Sequence, residues 1–216
     1  MKQHHEGNLA IGDLQKDILK EVGNIGAGNA ANALSQLIGK KITMNVPDVH
    51  ISAFNEIMEL ASGTENVVAS VFLTFSGDVS GTMFFVLPVF EATKFVQELV
   101  PEDFSFAEPP FSELAVSAYQ EIGNIMAGSY LTALSDFLHL QITPSVPEVA
   151  IDMFGAIISF GLIEISRVAD YALAIDAEII VEDSKQVTET MRGHIFLLPS
   201  PDSLTRIFSQ LGVQDV

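Results

Sequence analysis

A carboxylate and a carboxamide recur three residues apart, twice, in a glycine-rich setting. Residues 20–29 read KEVGNIGAGN and residues 120–129 read QEIGNIMAGS, so Glu21 precedes Asn24 as Glu121 precedes Asn124. On a helix, side chains at i and i+3 stand next to each other. Neither group is a good nucleophile, and an amide is no general base near neutral pH. Its carbonyl and NH₂ can nevertheless hold a water molecule in line with a phosphorus atom, as a glutamine does in GTPases. The glutamate can anchor the pair on a cation, such as a lysine of the molecule that carries the phosphoryl group. With no nucleophile or metal ligands beside it, the pair reads as machinery that completes another protein's site.

At 100° per residue, Gly28 and Ser35 fall on the flank of Glu21 and Asn24, to the side of a core stripe expected at Ile18, Val22 and Ile25. Gly128 and Ser135 repeat this arrangement beside Glu121 and Asn124, with Ile122 and Ile125 as the stripe. An interior glycine costs a helix about 1 kcal/mol relative to alanine, and here the cost recurs. Close packing accounts for Gly23 and Gly123. Close approach of a partner's backbone accounts for Gly28 and Gly128. In the second copy Ser129-Tyr130-Leu131 replace Asn29-Ala30-Ala31, which predicts a bulkier border with Leu131 at the contact flank. The partner-contact candidates are therefore Gly28, Ser35, Gly128, Leu131 and Ser135.

Other chemistries fit less well. GNIGAG resembles a nucleotide-binding glycine loop, but DILKEV before it has a helical pattern where a strand is needed, and Met126 replaces Gly26 in the second copy. The single histidines His50, His139 and His194 read as core or surface residues, not as metal ligands. Hydrolysis by paired carboxylates lacks its second acid. A formal charge of −18, from 28 acidic and 10 basic residues, repels phosphate backbones and argues against nucleic acid. It suits solubility above all, and secondarily a cationic partner. The absence of cysteine excludes a disulfide framework and fits a cytoplasmic protein. The N-terminus lacks the apolar run of a signal peptide. The longest uncharged run, residues 22–39, carries Asn24, Asn29, Asn32, Ser35 and Gln36, too polar a load for a lipid-facing helix.

The elements that must position these pairs form a duplication. Residues 17–49 align without gaps on 117–149 with 14 identities, and SGTMFFVLP is answered by RGHIFLLP further on. The reading is one domain of two repeats, about 13–100 and 112–212, related by pseudo-twofold symmetry and joined by a Pro-rich linker at 101–111. Apolar periodicity predicts helices over 12–38, 112–138, 52–61 and 153–166, and in the stretches after Pro88 and Ser200. KITMNV and QITPSV read as short strands, the latter at an edge because of Pro144. VVASVFLTF, SGTMFFVL, ALAIDAEIIVE and MRGHIFLL read as hairpin-like strands. The fold class is α+β, with mainly antiparallel sheet packed against long helices.

The doubled E-V/I-G-N-I-x-A-G motif, followed in each copy by ALS and VP-[DE]-V, resembles the CheC family of chemotaxis phosphatases, within the CheC/CheX/FliY group, over residues 13 to 212. The resemblance implies dephosphorylation of a CheY-type response regulator. Glu21 and Glu121 would pair with the regulator's active-site lysine, and Asn24 and Asn124 would orient the attacking water. It implies that Mg²⁺ comes from the regulator, with no cofactor held by this chain, and that CheD is a second partner. Two intact motifs without a flagellar-switch extension are most similar to CheC itself. The duplication predicts a monomer. Two further readings stay open: a non-catalytic module that binds CheD or a regulator, and a small-molecule-binding domain.

Overall fold

The computed structural model describes residues 13–53, 63–165, 171–182 and 188–212. Along them run α1 (Asp13–Ile38), β1 (Lys41–Asn45), β2 (Val49–Ala53), β3 (Val67–Gly77), β4 (Gly81–Pro88), α2 (Val89–Gln97), α3 (Glu113–Leu138), β5 (Ile142–Pro144), β6 (Glu148–Met153), α4 (Phe154–Ile165), β7 (Tyr171–Glu182), β8 (Thr188–Pro199) and α5 (Pro201–Gln210).

The long helices α1 and α3 occupy equivalent places in the two repeats. Both end on a left-handed residue, Gly39 at φ +72° and His139 at φ +53°, whose N–H closes the last turn on the carbonyl of Ser35 or Ser135. Ser112 caps the start of α3 by accepting the Ala115 N–H, and Ser200 with Pro201 opens α5.

The eight strands form one antiparallel sheet in the order β1-β7-β8-β4-β3-β5, with β2 also on β7 and β6 also on β3. The two halves mirror each other across the β4–β8 pair, which lies at the centre. The repeats are interlocked: β1 and β2 of the first pair with β7 of the second, and β5 and β6 of the second pair with β3 of the first. Alternate residues of the sheet, such as Val71, Leu73, Phe85, Ile179 and Ile195, pack under α1, α2, α3 and α5 in the main core. The opposite face, with Phe84, Val86, Ala174 and Phe196, is covered by Phe154, Ile157 and Ile158 of α4.

Several sequence expectations are corrected by this architecture. Ile25 packs only partly against the core and is 46% exposed. The buried face of α1 is made of Leu19, Val22, Gly26, Ala27, Ala30 and Leu34, because small residues let the helix lie close to its neighbours. Strands β2 and β6 are not anticipated: the short strands read at KITMNV and QITPSV stop at the Val-Pro pair, and a further strand follows each bend. The helix expected at 52–61 falls almost wholly outside the described residues, and its first two positions end β2. Segment 101–111 has no helix or strand, yet it is anchored. Phe106 is fully buried against Tyr119, and its N–H donates to Thr93 Oγ1. Pro144 sits on the outermost strand of its edge, as expected.

Candidate functional site

The pair α1 and α3 positions both copies of the motif. Where they cross, Gly26 admits Tyr130: a Cβ on Gly26 would stand 3.0 Å from the Tyr130 Cα. The aligned positions Met126 and Ala30 are both fully buried. Large and small residues thus exchange places between the repeats, which explains why Gly26 is lost in the second copy. Burial pushes the Tyr130 phenol well above its ordinary range, and its hydroxyl has no hydrogen-bond partner among the described residues. Tyr130 and Leu131 line a small apolar cavity of about 30 Å³ with Leu19, Val22 and Leu134.

Leu131 is therefore not a contact residue of the open flank. It is 1% exposed, turned into the helix–helix interface, and the bulk expected beside Glu121 and Asn124 is spent inside. Ser35 and Ser135 are half-buried, with hydroxyls committed to their own chain. Ser35 Oγ donates to the Ala31 carbonyl at 2.6 Å and accepts the Ile42 N–H at 2.9 Å. Ser135 Oγ donates to the Leu140 carbonyl at 2.5 Å. Ser35 ties the end of α1 to β1, and Ser135 ties the end of α3 to the turn that precedes β5.

Glu21 and Glu121 are exposed. Gly28 and Gly128 have open space where a side chain would begin, with nothing within 4 Å. Packing inside the chain does not require these two glycines. The inner glycines differ: a Cβ at Gly23 would meet Val46 at 3.3 Å, whereas at Gly123 it would overlap the Val71 side chain outright. Ile25, assigned to the core by periodicity, packs against it with only part of its side chain and is otherwise exposed, like Glu21 and Gly28 on the same helix. The exposed glutamate and glycine on either side of it were the available signal.

The two asparagines do not share an environment. Asn24 is half-buried and lies back along α1: Nδ2 donates to the Lys20 carbonyl and Oδ1 accepts the Val46 N–H, each at 3.0 Å. Asn124 is exposed and makes no hydrogen bond among the described residues. Beside it, Gln120 Nε2 donates to the Pro147 carbonyl at 2.6 Å. The bends also differ. Val46 is 2% exposed and Val146 79%, whereas Pro47 is exposed and Pro147 buried.

Away from the helices, His50 and His194, which read as isolated, both approach Asp176 on the sheet, at 3.5 and 3.0 Å. Among the described residues no group of three or more His, Asp or Glu side chains is arranged to hold a metal ion, and no helix is long and apolar enough to cross a membrane.

The chain matches the family model described as CheC-like at residues 14–51 and 114–151, the two copies of the motif and the bend after each. It is 45% identical over 203 residues to the CheY-P phosphatase CheC of Bacillus subtilis, covering 94% of this chain and 96% of that one. It is 29% identical over 139 residues to the flagellar motor switch phosphatase FliY of the same organism, covering 64% of this chain and 36% of that longer protein. Among solved structures, Thermotoga maritima FliY superposes with a TM-score of 0.73 at 21% identity, over 94% of this chain and 98% of that one. The FliM middle domain of H. pylori follows the same fold at 0.60 and 13%, over 93% and 99%. A doubled motif, the sheet that interlocks its two halves, and identity along nearly the full length agree: the chain belongs to the CheC-like family.

Proposed function

We propose that this protein hydrolyses the aspartyl phosphate of a phosphorylated CheY-type response regulator. The observation that carries the reading is the exposed Glu121–Asn124 pair, with a carboxamide that is unengaged among the described residues, on a long helix with open space over the neighbouring Gly128. Water attacks phosphorus, the bond from phosphorus to the aspartyl oxygen breaks, and the regulator keeps a free carboxylate while inorganic phosphate leaves. The Asn124 Oδ1 accepts a hydrogen bond from the water, and Nδ2 can donate to a phosphoryl oxygen. Glu121 docks on the regulator's lysine, a contact favoured by the chain's charge of −18. On this reading the Mg²⁺ that neutralises the phosphoryl group is held by the regulator.

The relative named CheY-P phosphatase CheC, alike over nearly its whole length, supports the substrate class. The test is the decay of a phosphorylated CheY-type regulator with Mg²⁺, alone, with the wild-type protein, and with Asn24→Ala/Asn124→Ala. Acceleration by the wild type that the double variant loses while still binding the regulator supports the proposal. An unchanged decay with wild type, even after CheD is added, sinks it for that regulator. CheD enters the proposal as a second partner that stimulates turnover. A monomer, with both copies in one sheet, is expected in sedimentation. A binding role without turnover has one observation in its favour, at the first copy only: the Asn24 carboxamide is bonded within its own chain at both ends.

A further inference from the structure

Resting on the phosphatase reading, we infer that the two sites are in different states, the first closed by its own bend and the second held open, and that the residue before each glutamate, Lys20 or Gln120, is the positioning residue that sets the state. The bends carry the same Val-Pro pair, at 46–47 and 146–147. In the first, Val46 turns inward over Gly23 and its N–H occupies Asn24 Oδ1. In the second, Val146 turns outward, Pro147 turns inward, and Gln120 holds the Pro147 carbonyl. Among the described residues the Val146 amide has no acceptor. In this repeat the glycine equivalent to Gly23, Gly123, lies directly against Val71 of the sheet.

A side-chain amide at position 120 pins the bend by its second residue and so keeps the first residue's N–H away from the catalytic asparagine. The Lys20 side chain makes no such bond among the described residues, and the bend is free to close. To project toward a phosphoryl group, Asn24 must give up both of its hydrogen bonds. Two net hydrogen bonds correspond to about a five- to hundredfold loss in the population of the working geometry. The carbonyl retains a second lone pair, so the first site is weakened by closure and not removed.

Single-site enzymes test this. Asn24→Ala, which leaves only the second site, should keep most of the wild-type rate, whereas Asn124→Ala should lose about tenfold or more. Adding Lys20→Gln with Val46→Ala to Asn124→Ala should raise its rate about three- to tenfold, a gain that a merely structural role for position 20 does not produce. Adding Gln120→Lys to Asn24→Ala should lower its rate by a similar factor, mainly in kcat. Amide hydrogen exchange gives a readout independent of activity: in the wild type the Val46 amide is protected and the Val146 amide is not, and the Lys20→Gln/Val46→Ala pair releases the amide at position 46. Equal rates for the two single-asparagine variants overturn the inference, as does exchange that is alike at Val46 and Val146. If the wild type has no phosphatase activity at all, the reading of the preceding section fails, and the inference about the bends is decided by exchange alone.

Discussion

Val46 and Val146 are the same residue in the same repeated phrase, yet one is buried under a helix and the other stands in solvent. The difference starts with neighbours. Met44 is a buried ladder residue of β1, which pairs over five positions with β7. Its counterpart Pro144 has no N–H to give, and β5 pairs over only three positions with β3. The chain after Pro144 is held differently: the Ser145 N–H donates to the Thr74 carbonyl, and Ser145 Oγ accepts the Thr74 N–H. The second bend is thereby committed to the sheet edge, while the first folds in beneath α1. A duplicated sequence motif thus specifies a helix and a pair of side chains, while its surroundings decide whether that pair is free to act.

The largest expected effect tests whether both copies catalyse. Asn24→Ala/Asn124→Ala should slow the accelerated decay of the phosphorylated regulator by about a hundredfold, the scale of losing an oriented reactant; a residual rate near that of Asn24→Ala alone would assign all turnover elsewhere. The next effect separates the glycines. Gly123→Ala drives a methyl group into Val71 and should destabilise the fold by about 1–2 kcal/mol, overpacking offset in part by helix propensity. Gly23→Ala meets only the movable tip of Val46 and should be near neutral in the same thermal or urea unfolding experiment.

Smaller again is the pair of helix ends. His139→Gly relieves a left-handed backbone at a non-glycine residue and should add about 1 kcal/mol, whereas Gly39→Ala should subtract a similar amount. Opposite signs in unfolding midpoints check this. The smallest stability change is expected at the open glycines. Gly28→Ala and Gly128→Ala should gain about 0.5–1 kcal/mol from helix propensity. If Gly128 admits the regulator, its substitution should also raise KM, and a stabilised variant with unchanged KM would remove Gly128 from the contact surface.

Much of this was legible in the sequence because it depends on local pattern. The two long helices fall within a residue of where periodicity puts them, and the glutamates of both pairs are exposed, because spacing along a helix needs no tertiary information. What escaped depends on contacts distant in sequence. The buried face of α1 is written largely in glycine and alanine, which carry little hydrophobic signal, so helical spacing alone overstates the burial of Ile25 and puts Leu131 on the wrong side. The anchoring of Phe106 and the strands β2 and β6 depend on partners 13 to more than 120 residues away, and no window of neighbouring residues contains them.

From the sequence alone came the duplication, the α+β class, the family resemblance and the identity of the four side chains that carry the proposed chemistry, since each is a matter of residue type and short spacing. Only the tertiary structure decided that the repeats exchange strands, that Leu131 and the two serines serve the fold, and that Asn24 is bonded to its own chain while Asn124 makes no bond among the described residues. The physical reason is that a side chain's availability depends on which backbone groups reach it. Here the deciding group, the Val46 N–H, belongs to a bend 22 residues further along the chain, whose shape is set by the strand it follows.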